Sequence, residues 1–333
     1  MISSKVKILA SLREKKGEPL SGTKLAKEIG ISRVAVWKNV QSLVESGYLI
    51  ETKDTGYLLD PKKEKDFLFP WEFGEKESLF YHYKNTGSTM DRARELALQK
   101  AADGSIITTE KQTSGRGRHG RSWISRQGGL FFSVLERPKL AIVEYTQLSL
   151  LMQIAVVRCV SGICGKKAYL RWPNDIYINH RKIAGIITEI SGEGDLITWL
   201  TTGIGVNINN TVPSGKATSC AEIIGHHISR KNVLKNILNE YEKVKIEFKP
   251  KAAYTQGNRH LASEWNSLAD CINAKAVIFE AEDKVFNSIE KPGKILTRGI
   301  FQGIDPAGRC IIKTEDKTLF FTQGSVSLAF LNP

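Results

Sequence analysis

The sequence predicts an α+β protein of three domains. Three observations carry that expectation. Near the N-terminus, a helical pattern breaks at Gly30, Ile31 and Ser32 and resumes, and two short strands follow. Strands and helices are then mixed through the middle of the chain. From Lys275 onward, short strands alternate with Gly and Asp-Pro turns. The expected boundaries are 1–62 for a winged helix-turn-helix, 67–270 for a mixed α/β domain and 271–333 for a small β-barrel. The polar, charged stretch 61–66 is the linker candidate.

In the first domain, residues 3–16 read as a helix, with Val6, Leu9, Ala10 and Leu12 toward one side. Ser21 is placed to cap a second helix over 23–29, and Gly30 ends it, since a left-handed turn costs glycine nothing. Ser32 caps a third helix over 33–46, with Val36, Val40, Leu43 and Val44 at helical spacing. Strands 48–52 and 56–59 around Lys53, Asp54 and Thr55 complete the winged helix. The N-terminal part of the second helix of such a motif enters the DNA major groove. Ser32, Arg33, Val34, Trp37 and Lys38, with Lys53 on the wing, are therefore candidate DNA contacts. A module that binds only protein is the competing reading.

In the middle of the chain, strand 80–83 runs into Thr86, Gly87, Ser88, Thr89, Met90 and Asp91, and a helix over 92–100 follows. Hydroxyls and helix-start amides there suit a small polar group. Strand 105–110 then leads into EKQTSGRGRHGRSW, residues 110–123. Gly115, Gly117 and Gly120 let the backbone turn sharply, while Arg116, Arg118 and Arg121 offer fixed positive charge to phosphate. No Walker A motif is present. The match to G-x-G-x-x-G is accidental, because the run leads to a strand, LFFSVL, where a Rossmann turn opens a helix. A long helical pattern covers 142–160. Strand 169–172 ends at Pro173, leaving Asn174 and Asp175 at its edge. Strand 203–207 ends in Asn207, and helices are expected over 229–248 and part of 254–268. Short strands at 276–280, 294–301, 309–314 and 317–322, with a turn at 305–308, form the last domain.

Composition bounds the function. Hydrophobic residues are 41% and charged residues 25%, ordinary for a globular chain, and the net charge of +13 favours polyanionic partners. The N-terminus is not a secretory signal. The apolar run 148–157 is too short to span a membrane, so no membrane partner is expected. Five scattered cysteines without a C-x-x-C pair point to reduced thiols in a cytoplasm. His226 and His227 are adjacent and poorly placed for one metal, so no structural metal is expected.

Three ordered motifs then carry a resemblance. Residues 115–123, the run from Arg171 to Asp175, and Lys182 three residues before Gly185 together resemble the biotin–protein ligases over roughly residues 80–330. The N-terminal module makes the chain most similar to the bifunctional form, ligase and biotin-operon repressor. The resemblance implies a catalytic domain of the biotin/lipoate ligase type and an SH3-like C-terminal barrel. It implies ATP and biotin as substrates, with Mg²⁺ linked to ATP. Ser88 and Thr89 would grip the ureido ring, and Gln112, Gly115, Arg116, Gly117 and Arg118 would line the biotin and acyl-phosphate pocket. Met90 stands where the family usually has Asn, so it is expected to offer a backbone contact at most. Lys182 would contact biotin's carboxylate and then the adenylate. Arg121, Arg171, Asn174 and Asn207 would meet the nucleotide, with 212–220 a loop over adenine. Arg171 replaces the family's usual Lys and keeps the charge as a fork. Asp175 would either help hold Mg²⁺ or orient the incoming lysine amine. Partners implied are a biotin carboxyl carrier protein, the operator DNA of biotin-synthesis genes, and a second copy of the chain in an adenylate-bound homodimer. A lipoate–protein ligase and a catalytically weak DNA-binding biotin sensor are the alternatives.

Overall fold

The structure is a computed structural model describing residues 2–63, 65–213, 215–248, 258–280, 294–323 and 326–331. It divides into two compact units, Met1–His82 and Tyr83–Pro333.

The first unit is a winged helix. Helices α1 (Ser4–Glu14), α2 (Gly22–Ile29) and α3 (Arg33–Glu45) are followed by the antiparallel pair β1 (Ile50–Lys53) and β2 (Gly56–Leu59). Each helix begins with a serine whose hydroxyl accepts from an orphan amide: Ser3 from Val6, Ser21 from Lys24, Ser32 from Ala35. Gly30 closes α2 in the left-handed conformation, φ 77°. Ile8, Leu9, Leu12, Leu25, Val36, Val40 and Leu43 form the core. Ala10 and Val44, expected on the inner faces, are exposed.

The expected domain start at residue 67 differs from the division after His82. Phe67, Phe69 and Trp71 pack on the winged-helix core, and the Phe67 ring lies tilted against Tyr48, 4.7 Å between centres. Glu72 is buried beneath them. It accepts from Arg13 at 2.7 and 2.9 Å and from the Tyr48 hydroxyl at 2.5 Å. Burial, with the Glu72 charge, pushes the Tyr48 hydroxyl far above its usual pKa. Aromatic packing and the Arg13–Glu72 ion pair thus attach this segment to the first unit, and among its described residues the charged stretch before it carries a 3₁₀ turn, Pro61–Lys63.

The second unit is built on a seven-stranded sheet. Its elements are β3 (Phe80–Thr86), α4 (Thr89–Leu98), β4 (Ser105–Gln112), β5 (Leu130–Glu136), α5 (Tyr145–Cys164), β6 (Tyr169–Arg171), β7 (Asp175–Ile178), β8 (Arg181–Glu193) and β9 (Leu196–Val206). Strand order is β3-β4-β5-β9-β8-β7-β6. Every residue of β5 is buried, as expected of a central strand covered on both faces. Helices α6 (Cys220–Ile224), α7 (Arg230–Phe248) and α8 (Arg259–Ser267) follow; residues 254–257 of the last helical pattern lie outside the described residues. Helix α5 packs against the sheet, α7 and α8, and Gln153 in its middle accepts from the buried Trp265 indole at 2.9 Å. The apolar run is longer than 148–157. A 3₁₀ turn, Ile142–Glu144, extends it to Ile142–Cys164, long and apolar enough to cross a membrane, yet it is largely buried as a core helix. All five cysteines are free.

The C-terminal strands β10 (Lys275–Glu280), β11 (Ile295–Ile304), β12 (Cys310–Lys313), β13 (Thr318–Phe321) and β14 (Val326–Phe330) form an antiparallel SH3-like sheet, ordered β13-β12-β11-β10-β14. Asp305 builds the turn before β12, accepting from the amides of Ala307 (3.0 Å) and Arg309 (2.8 Å). The turn reaches back to the larger sheet's helix, where the Thr146 hydroxyl donates to Ala307 O at 3.1 Å.

Candidate active site

A cavity of about 300 Å³ opens over the face of β8 and β9, under residues 116–123 and beside β14. Its polar end is the start of α4. Ser88 caps this helix, accepting from the Met90 amide at 3.2 Å. The Thr89 amide and hydroxyl both donate to Gln112 Oε1, at 2.8 and 3.3 Å. Gln112 Nε2 donates to Ser125 at 2.7 Å, and the Ser133 hydroxyl donates to Thr89 at 2.8 Å. These groups form a fixed row of donors and acceptors, the arrangement that recognises a small polar ring such as a urea.

Met90 also lines the cavity. Its side chain is buried, and a Cβ on Gly203 would lie 2.7 Å from its sulfur. Gly203 is therefore the hollow that admits a thioether here, and the expectation of a backbone contact alone is too narrow.

The Gly-Arg segment is a closed hairpin loop. Gly117 N donates to Arg121 O at 2.7 Å, and Trp123 N to Gly115 O at 2.8 Å. Gly115 does not line the cavity. A Cβ there would meet Trp123 O at 2.5 Å, so this glycine serves the base of the loop. Trp123 lies on the glycine pair Gly185 and Gly205, opposite each other on β8 and β9. A Cβ on either would come within 2.8 Å of the indole.

Five cations converge on the cavity. Arg116 pairs with Asp91 at 2.8 Å and Glu189 at 3.5 Å. Arg118 donates to the backbone oxygen of Gln323 in the C-terminal region, and Gln323 Nε2 donates to Pro173 O at 3.1 Å. Burial pushes the Arg118 pKa down to about 10, against the pull of Asp175. Lys182 pairs with Asp175 at 2.7 Å and lies 5.1 Å from the Trp123 ring centre. Arg171 is fixed by Asp270 through a fork, 2.5 and 3.3 Å, and stacks 4.0 Å over Tyr177. Arg121 also lines the cavity.

Asn174 uses its side chain structurally, donating to Ile186 O at 2.7 Å while its own carbonyl accepts from Ile186 N at 3.0 Å. Asn207 does not line the cavity. It is buried, and its Oδ1 accepts from Asn210 at 3.0 Å. Residues 216–218 are pinned along the start of β8, with Lys182 N donating to Lys216 O and Thr218 N to Lys182 O. Ser214 of the expected loop lies outside the described residues.

Among the described residues Asp175 is the only carboxylate lining the cavity, and it is already engaged by Lys182. No group of three or more metal-ligating side chains occurs among the described residues. The donor set therefore fits a divalent cation carried on nucleotide phosphates better than one held by the protein alone.

Sequence reasoning missed Tyr177, Asp270, and Ser327, Leu328 and Phe330 of β14. None lies in a motif. The only signal was the apolar spacing of 326–330, which marks a strand and not its neighbour.

Comparison with known proteins agrees with this geometry. Residues 83–207 match the model of the biotin/lipoate A/B protein ligase family, and residues 5–58 match an HTH domain. The bifunctional ligase/repressor BirA of Bacillus subtilis is 37% identical over 239 residues, covering 68% of this chain and 73% of that protein. Its counterpart in Escherichia coli is 26% identical over 335 residues, covering 97% and 96%. The solved structure of biotin protein ligase from Aquifex aeolicus, in complex with biotin and ATP, aligns with TM-score 0.61 at 27% identity, covering 76% of this chain and 99% of that one. With its winged helix, its ligase-type sheet and its Gly-Arg loop, the chain belongs to the BirA family of bifunctional ligase/repressors.

Proposed function

We propose that the chain is an ATP-dependent biotin–protein ligase and, through its winged helix, a repressor of biotin-synthesis genes. One observation carries the ligase reading: the row of polar groups at Thr89 and Gln112 shares a cavity with Arg116, Arg118 and Lys182. A neutral cyclic urea fits the first end and colliding anions fit the second.

The chemistry is acyl activation followed by transfer. Biotin's carboxylate oxygen attacks the α-phosphorus of ATP, and pyrophosphate leaves, giving biotinyl-5′-AMP. A carrier lysine's neutral amine then attacks the acyl carbon, and AMP leaves with the bonding electrons. Arg116, Arg118 and Lys182 reduce the repulsion between carboxylate and phosphate and stabilise charge on the phosphoryl oxygens. Mg²⁺ carried on the nucleotide phosphates would supply further charge shielding for the pyrophosphate. Once Lys182 turns toward substrate, Asp175 is released to accept a proton from the carrier lysine. Arg171, locked by Asp270, acts as a fixed wall of positive charge. The closed loop keeps water from the mixed anhydride.

Biotin carboxyl carrier protein is the acceptor, and operator DNA is the second partner. Arg33, Lys38 and Lys53 supply the phosphate contacts. Two copies joined in the adenylate-bound state would read a two-fold operator. The setting is the cytoplasm, where the free cysteines stay reduced.

Pyrophosphate release tests the enzyme. It is expected to require biotin and not to respond to lipoate; release with lipoate would turn the reading to the other branch of the family. Gly203→Ala tests the pocket. The added methyl drives Met90 into the cavity, an overpacking cost of about 1–2 kcal/mol. Biotin affinity measured by calorimetry is expected to fall roughly tenfold, with no change in melting temperature of more than a few degrees.

A further inference from the structure

Helix α3 exposes large apolar side chains at Val34, Trp37 and Val44, and Val34 and Trp37 lie one helical turn apart near its start. Val34 is 62% exposed and Trp37 51%, while Val36 and Val40 on the inner face are fully buried. The core does not use the outer pair. Both line a groove between the starts of α2 and α3 and the wing, with Arg33 beside them and Thr52, Lys53 and Asp54 opposite. Cations frame this surface, and α3 has no carboxylate before Glu45. On the wing side Asp54 lines the groove, and Glu51 is engaged by Lys53 at 3.7 Å and Lys63 at 3.8 Å.

The occupant must therefore present apolar points inside an anionic frame. The DNA major groove does so wherever thymine places its 5-methyl group between phosphate rows. We infer that Val34 and Trp37 read thymine methyl groups, so that part of the sequence preference is apolar and independent of hydrogen bonds. This rests on the DNA-binding reading and goes beyond it by naming the base feature and the two side chains that detect it. Arg33 and Lys38, by contrast, fix register on phosphate.

The experiment uses the full chain with biotin, ATP and Mg²⁺. Duplexes are enriched from a random pool, and the best is remade with deoxyuridine in place of thymine, one position at a time. Uracil pairs as thymine does and lacks only the methyl. At one or more positions affinity is expected to fall about fourfold per methyl, the value of one buried methyl. Val34→Ala or Trp37→Ala is expected to abolish that discrimination at its own position and leave the salt dependence unchanged, whereas Arg33→Ala lowers the salt slope by about one. Enrichment with equal affinity for thymine and uracil everywhere would overturn the methyl readout while leaving DNA binding standing. Discrimination that persists in both alanine variants would also overturn it. Failure to enrich any duplex over random would overturn the DNA-binding reading itself.

Discussion

Arg118→Gly is expected to turn a selective ligase into a leaky one. Arg118 is a half-buried member of the loop, bonded to the backbone of Gln323 and drawn toward Asp175. It ties the Gly-Arg loop to the C-terminal region and contributes positive charge to the cavity. Glycine removes the tie and the charge while freeing the backbone. Biotinyl-5′-AMP is expected to escape on the order of 10²-fold faster, as when one charge-assisted contact is lost. Pyrophosphate formation persists, because Arg116 and Lys182 still serve it. The readout is biotin on an unrelated protein added in excess, such as serum albumin. Unchanged selectivity for the carrier would refute the loop's role as a lid.

Lys182→Ala is expected to have the larger effect on chemistry. Lys182 sits on β8 with Asp175 at 2.7 Å and the Trp123 ring beneath it, and it is the cavity's one ammonium. Its removal takes a cation from the reacting carboxylate and leaves Asp175 without its ion-pair partner, with only Arg118 nearby to offset it. Both changes oppose the approach of two anions. The single-turnover rate of pyrophosphate formation is expected to fall on the order of 10³-fold. Transfer from biotinyl-5′-AMP supplied ready-made is expected to suffer far less, since adenylation is already complete. A Lys182→Ala enzyme that adenylates at the parent rate would remove Lys182 from the mechanism.

The winged helix was legible because its signals are local. Each serine cap and Gly30 act within four residues of their own position, and periodicity places Val36, Val40 and Leu43 of α3 on the inner face, though Val44, expected with them, is exposed. The Gly-Arg loop was legible for a different reason, since three glycines among three arginines have few structural uses apart from an anion. What escaped depends on contacts distant in sequence. Phe67, Phe69 and Trp71 read as the start of the next domain because the chain does not reveal that Tyr48 waits for them. The long β8 carries no expectation of its own beyond Lys182, because alternation is weak through Gly185 and Gly192. The same glycines carry meaning only in three dimensions. Gly185 and Gly205 seat Trp123, and Gly203 seats Met90. Asn207 shows the same dependence on folded contacts: a polar residue at a strand end suggests a ligand contact, and here its Oδ1 accepts from Asn210. Asp270, which holds Arg171, lies 99 positions away and in no motif.

The central claim is that this cavity activates biotin and hands it to a carrier lysine. The most direct test is mass spectrometry of an apo biotin-carrier domain after incubation with the protein, ATP, Mg²⁺ and biotin. The account requires a biotin-dependent mass gain on a single carrier lysine. If biotin bound tightly and the carrier's mass stayed unchanged, the cavity would be a sensor serving the winged helix, and the ligase reading would be wrong.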